Sequence, residues 1–430
     1  MTAGELKKIA GTIPQTAYLC RATEWTPAAD DIQLYSHEEC LADKKKQASN
    51  FRHIEEESNK YAASRITQEV DNKVVVVNPP YPPMSQEELD HSYDLPYTRL
   101  PHPKYKGKRI PAYDMIKFSV NIHRGCFGGC AFCTISAHQG KFIVSRSKKS
   151  ILNEVKEVMQ LPDFKGYLSD LGGPSANMYR MKGKDERICA KCKKPSCISP
   201  VVCKNLNADH TPLLDIYKAV DRLPGIKKSF IGSGVRYDLL LHRYADESLN
   251  KAAQTYTEEL IARHVSGRLK VAPEHTQDEV LKQMRKPSFS QFGQFKKIFD
   301  KVNRQYGLNQ QLIPYFISSH PGCTEADMAE LAVITKSLHF QLEQVQDFTP
   351  TPMTLATEMY YTGYHPYTLE KVYTARSKEQ KLAQRQFFFW YKPESRRQIM
   401  QVLQKMGRKD LIEKLFGRNG GTNPAPRKRR

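Results

Sequence analysis

Between residues 115 and 350 the sequence alternates strand-like and helix-like stretches six times, and this alternation restricts the fold more than any other feature. The strand candidates are MIKFSVNI (115–122), GYLSDL (166–171), KSFIGSG (228–234), RLKVAP (268–273), LIPYFI (312–317) and QVQDFTP (344–350). Helical patterns occupy 151–161, 213–223, 246–264, 276–285, 291–305 and 324–341. In the first, Ile151, Val155 and Val158 share one face after a candidate cap at Ser150. Two others open with capping-box spacing, Thr276-x-x-Glu279 and Thr324-x-x-Asp327. Strand followed by helix, repeated, leads to a parallel sheet covered by helices, the α/β class. Six such units suggest an open or partial version of the eight-unit barrel, with chemistry on the loops at the strands' C-terminal ends.

The first of those loops reads RGCFGGCAFC and gathers Cys126, Cys130 and Cys133 with no fourth thiol beside them. Structural zinc takes four protein ligands, whereas three thiolates can anchor three corners of a cubane [4Fe–4S] cluster and leave one iron open. Gly125, Gly128 and Gly129 supply the permissive backbone such a wrap needs. A zinc knuckle completed by His123 or His138 is the alternative. A second group, Cys189, Cys192, Cys197 and Cys203, lies in a basic insert over 185–212 and has the count of a closed site, for structural Zn²⁺ or for an auxiliary iron–sulfur cluster. A third reading of the insert is a zinc ribbon that grips RNA through Lys191, Lys193 and Lys194. His210 either replaces a thiol there or packs beside the site. These groups hold seven of the ten cysteines, a distribution that in a reducing compartment points to metal rather than to disulfides.

The spacing Cys126-x3-Cys130-x2-Cys133, with Phe132 before the last thiol, resembles the signature of the radical S-adenosylmethionine (radical SAM) superfamily. Longer stretches are similar to its YgiQ family: YDLPYTRLPHPKYKGKRIPAYDMIKFSVNIHRGCFGGCAFC, SDLGGPSANMY, NLNADHTPL, VAPEHTQDEVLKQMRKP and VQDFTPTPMTLATEMYYTG. The resemblance covers residues from about 35 to 400. It implies a [4Fe–4S] cluster whose open iron is chelated by S-adenosylmethionine. One electron, from a donor such as a flavodoxin or ferredoxin, then cleaves the sulfonium, and the 5′-deoxyadenosyl radical takes hydrogen from a substrate that the resemblance leaves unknown. It also implies that the backbone at Gly172 and Gly173 receives the cofactor's amino group, although Pro174 stands where the family pattern has an acidic residue. Ser233 and Arg236 become candidates for its carboxylate or ribose, with an ordinary surface salt bridge as the other role for Arg236. Glu274 and His275 become candidates for ribose or substrate contacts, against a solvated strand-end turn. Ser318 to Gly322 would lie near adenine, with Cys323 a buried thiol. Family members carry a longer N-terminal region, so the chain is expected to begin partway into it.

The expected organisation is an N-terminal extension over 1–114, a partial (β/α)6-type barrel over 115–365 containing the insert, a C-terminal helical segment over 366–415 and a basic disordered tail over 416–430. Only Val74 to Val77 reads as a strand in the extension. The run Phe387 to Tyr391 reads as a packing surface. A formal charge of +20 attracts polyanions, so a nucleic-acid-binding metalloprotein with structural zinc, or a radical SAM enzyme acting on RNA, are the competing functions. No run approaches the ~20 apolar residues of a membrane span, and MTAGELKKIAGTIPQ lacks a secretory apolar core, which together read as a cytoplasmic protein without a membrane partner.

Overall fold

The computed structural model describes residues 9–417. The N-terminal region is not the largely strandless extension expected. It forms a four-stranded sheet from β1 (Ala17–Arg21), β2 (Ile32–Gln33), β3 (Ile66–Val70) and β4 (Lys73–Val77), in the order β1-β4-β3-β2. The β3–β4 hairpin closes through Asp71 at φ 53°, a left-handed position that Asp tolerates. Val74 and Val76 point inward, the alternation of a sheet covered on one side. The helix Lys44–Ser58 sends Phe51 into a core shared with the rest of the chain, so the region packs as a layer against its neighbour.

The strands that follow are β5 (Ser119–Asn121), β6 (His123–Arg124), β7 (Val144–Ser145), β8 (Tyr167–Leu168), β9 (Asp170–Gly172), β10 (Lys182–Gly183), β11 (Leu206–Asn207), β12 (Lys228–Ser229), β13 (Arg268–Glu274), β14 (Gln311–Ser318) and β15 (Gln344–Asp347). The first expected strand is shorter than 115–122, because Pro111 starts a helix, Pro111–Ile116, that takes up the exposed Met115 and Ile116. β5 pairs β9, β8 pairs β12, and β13, β14 and β15 pair in series, all parallel. Ser169 N donates to Phe118 O at 2.9 Å and Leu171 N to Phe230 O at 3.0 Å, joining the first three segments. Beyond them Ile231 N donates to His264 O at 2.9 Å, and no closed barrel forms among the described residues.

Helix starts follow local hydrogen bonding. Ser147, not Ser150, caps the helix Lys148–Val158 by accepting from Ser150 N at 3.1 Å; Ser150 is buried and donates instead to Asp94 Oδ1 at 2.8 Å. The Thr324–Asp327 capping box forms in both directions. The one expected at Thr276 does not, since His275 Nδ1 accepts the Gln277 N–H and the helix is only Asp278–Gln283.

Three apolar clusters result. One packs the helices Lys148–Val158, Thr211–Asp221 and Phe289–Gln305 on the first strands, with Ile151, Val155 and Val158 fully buried. A second joins Phe316, Met328, Leu331 and Met359 to the C-terminal helices Pro393–Lys405 and Lys409–Phe416, and buries Phe387 and Phe388. Phe416 thus ends a helix and does not begin a tail; the rest of the expected tail, from 418, lies outside the described residues. The third, smaller cluster joins Phe127 to Met178, Met181, Ile198 and Leu206, seating the insert on the cysteine loop.

Candidate iron–sulfur site

The cysteine loop leaves β6 after Arg124 and is pinned by residues on both sides. Cys126 N donates to Gly140 O at 3.0 Å, Ala131 N to Met284 O at 3.0 Å, and Ala356 N to Ala131 O at 2.8 Å. Phe127 is buried in the third cluster, whereas Ala131 and Phe132 pack in the second. Each full burial of such a ring is worth roughly 1.5–3 kcal/mol, enough to hold an irregular backbone in place. Gly129 has φ +58°, and a side chain there would strike the Pro195 carbonyl. At Gly128 a Cβ would lie 2.9 Å from Arg236 Nη1 and 3.3 Å from Cys126 Sγ. The glycines therefore permit close approach as well as tight turning.

Arg236 faces the loop at Cys130, with Cys126 also near its charge. Its Nη1 donates to Cys130 Sγ at 3.4 Å, and Cys126 and Cys133 lie close enough for their charges to interact with that of Cys130. Burial pushes the Cys126 thiol up to about 11, with the neighbouring Cys130 adding to the rise, and burial also raises Cys133. The rest of the guanidinium is committed: Nε donates to Asp238 Oδ1 at 2.9 Å and Nη2 to Oδ2 at 2.5 Å. Burial alone would raise the Asp238 carboxyl, but Arg236 holds it below its ordinary value. Arg236 is thus a buried ion pair aimed at sulfur and not a surface salt bridge, its side chain only 11% exposed. Asn177, which sequence reasoning quoted but did not assign, clamps its backbone by accepting from Arg236 N at 2.8 Å and donating to Arg236 O at 3.1 Å.

The other candidates surround this point. A Cβ on Gly173 would enter the ring of His123, and one on Gly172 would lie 2.7 Å from Ser233 Oγ, so close packing demands both glycines. Ser233 donates its hydroxyl to Asp170, which also accepts from Gly232 N at 2.8 Å and Ser233 N at 3.2 Å. Glu274 sits at φ +70° and is buried, and among the described residues it pairs with Lys286 at 3.7 Å; burial raises its carboxyl while Lys286 opposes the rise. It is not a solvated turn residue. Both nitrogens of His275 are engaged, Nδ1 by Gln277 N and Nε2 by the buried thiol of Cys323 at 3.5 Å. His320, in the stretch expected near adenine, stands edge-on to Phe132 with centroids 6.0 Å apart. Of the two zinc-knuckle histidines, His123 is buried against Gly173 with its pKa lowered to about 4 by burial, and His138 is exposed on the helix Ile135–Gln139.

The insert abuts this loop. Cys197 N donates to Phe127 O at 3.0 Å and Ser196 Oγ to Gly128 O at 2.8 Å. His210 is buried against Tyr256 and Asn177. A cavity of about 940 Å³ opens between the insert, the Arg236–Arg243 turn and the segment 278–294, and Arg236 lines it. Among the described residues no three His, Cys, Asp or Glu side chains stand together as ligands of one metal ion. Thiolates on separate corners of a cubane need not do so. Three neighbouring thiols, one of them facing the buried Arg236, on a loop without a carboxylate of its own fit a thiolate-held cluster.

Comparison with known proteins gives the class first: residues 1–119 match the family described as Radical SAM N-terminal, and residues 343–418 match Domain of unknown function (DUF3362). The chain belongs to the UPF0313 family. It is 83% identical over 418 residues to a UPF0313 protein of Bacteroides thetaiotaomicron, covering 97% of this chain and 67% of that one. Identity to a UPF0313 protein of Porphyromonas gingivalis is 66% (97% and 66% covered), and to UPF0313 protein YgiQ of Salmonella typhimurium 42% (92% and 54% covered). The chain thus spans between about half and two thirds of these relatives' lengths. Among solved structures, the radical S-adenosylmethionine methyltransferase TsrM from Kitasatospora setae, with cobalamin and a [4Fe–4S] cluster bound, is similar at 13% identity and a TM-score of 0.40, over 69% of this chain and 49% of that one. No helix among the described residues is long and apolar enough to cross a membrane.

Proposed function

We propose that the chain is a radical SAM enzyme whose [4Fe–4S] cluster is held by Cys126, Cys130 and Cys133. The observation that carries this reading is the loop after the parallel strand β5, where Cys130 meets the buried Arg236 guanidinium and has Cys126 and Cys133 as its neighbours. When bound, the cluster supplies the electron that splits S-adenosylmethionine. Arg236 offsets thiolate charge at Cys130, and Asp238 and Asn177 keep its fork in that orientation. Phe127, Ala131 and Phe132 hold the loop against two apolar clusters and exclude water from its inner side. The cavity lined by Arg236 lies on the insert side of that guanidinium. Gly172, Gly173, Ser233 and Glu274 are proposed as the cofactor's surroundings, with the Ser233 hydroxyl acting through Asp170. The architecture is read as a partial (β/α)6 barrel over 115–365, supported by the parallel pairing of β5 with β9, β8 with β12, and β13, β14 and β15 in series.

The test is anaerobic reconstitution with iron and sulfide followed by reduction in the presence of S-adenosylmethionine. Formation of 5′-deoxyadenosine that disappears on Cys130→Ala supports the reading; undiminished formation in that variant overturns it. The RNA-directed readings rest on the +20 charge alone.

A further inference from the structure

We propose that Cys189, Cys192, Cys197 and Cys203 close a four-thiolate metal centre that uses the Lys141 ammonium as its buried counter-charge and clamps the three-thiol loop in place. Lys141 is only 3% exposed. It donates to Lys194 O at 2.7 Å and to Cys192 Sγ at 3.6 Å, and among the described residues no carboxylate pairs with it. A buried ammonium costs several kcal/mol unless an anion faces it, and the groups that can be anionic here are the insert's sulfurs. A second donor is also aimed at sulfur: Asn205 Nδ2 points at Cys189 Sγ at 3.3 Å, and Asn205 is fixed by accepting from Asp185 N at 2.9 Å. Donors fixed around a thiol in this way are what a ligating thiolate uses to hold its charge and direction.

The insert has few other reasons to be ordered. Its base is a two-residue pairing of β10 with β11, its Ile188 and Val201 are exposed, and Ile198, Leu206 and Ala208 are its buried aliphatic side chains. A short irregular segment with so little apolar burial is held by a cross-link or a metal. Backbone turns bring the ligands near one another, Cys192 N donating to Cys189 O at 3.0 Å and Cys203 N to Cys197 O at 2.8 Å. The sulfurs are not gathered at single-ion spacing among the described residues, so loading draws the two arms together. Zn²⁺ and a [4Fe–4S]²⁺ core share the required chemistry: with four thiolates each leaves a net dianion, which Lys141 half neutralises. Because Cys197 and Ser196 hydrogen-bond Phe127 and Gly128, closing the insert also fixes the loop that carries Cys126 and Cys130.

The test uses the full chain with Cys126, Cys130 and Cys133 all changed to Ser, so that its outcome does not depend on the radical reading. Metal and sulfide analysis with sulfur-edge and metal-edge absorption is expected to find one centre in an all-sulfur shell. Zinc without sulfide identifies a structural ion, four irons with sulfide identify a second cluster, and both support the proposal. Absence of stoichiometric metal overturns it, as does metal retained after the further changes Cys192→Ser and Cys197→Ser. If the triple variant does not fold, the unaltered chain is assayed for metal in excess of four irons, and none in excess overturns it equally. In chelator competition, Lys141→Met should weaken retention about 10- to 100-fold and Lys141→Arg should restore most of it; an unchanged Lys141→Met overturns the counter-charge.

Discussion

The two cysteine groups lie back to back, yet they are built on opposite terms. The loop at Cys126–Cys133 is walled by two apolar clusters and faces the buried Arg236–Asp238 pair. In the insert Cys203 is exposed, and the Asp185–Arg187 ion pair stands in solvent, Arg187 being 90% exposed. The loop is therefore held by packing of its own, whereas under the proposal above the insert leans on its four sulfurs. A site with a reactive open position needs a preformed wall; a closed site can be made by its own ligands.

This contrast can be broken at several points. Removing any thiol of the loop, as in Cys130→Ala, should reduce 5′-deoxyadenosine formation to background, the largest effect expected. Arg236→Met leaves Asp238 buried without its partner and should cost about 3–5 kcal/mol in denaturant unfolding. Loss of under 1 kcal/mol would mean that the pair is more solvated than its burial indicates. A third effect depends on pH. Glu358 lies on the helix Leu355–Thr362, whose Ala356 N–H holds the loop, and burial raises its carboxyl from 4.5 to about 7, with Gln47 and Lys44 opposing. The folded state therefore keeps this proton after the unfolded chain has released it. Stability from this group is complete below about pH 4.5 and is lost as pH rises through 7, by up to about 3 kcal/mol. Glu358→Gln should flatten that slope, and unfolding midpoints between pH 5 and 8 would reveal a slope that persists. Gly129→Ala puts a Cβ into the Pro195 carbonyl at a left-handed position and should cost about 1–3 kcal/mol while loosening the insert from the loop. Arg187→Ala, at the exposed pair, should leave the midpoint unmoved.

Legibility in the sequence followed the same division. The three-thiol spacing, the Thr324 capping box and the buried face of Ile151, Val155 and Val158 are local patterns, and they were readable because their physics spans a few residues. Ser147 caps the helix in place of Ser150, whose hydroxyl goes to the distant Asp94, and His275 Nδ1 accepts the Gln277 N–H where a Thr276 capping box was expected. The N-terminal sheet was missed because only Val74 to Val77 carries a strong strand signal; its partners are polar, two-faced strands whose pairing is settled between distant segments.

By itself the sequence determined where thiols cluster, where chain direction alternates between strand and helix, and which family the chain joins. Tertiary structure alone decided that Arg236 turns its free nitrogen to Cys130, that Lys141 is buried against the insert, and that the insert rests on Phe127 and Gly128. The physical reason is range: spacing is written along the chain, but the cost of burying a charge, and the partner that offsets it, depend on residues 106 and 51 positions away.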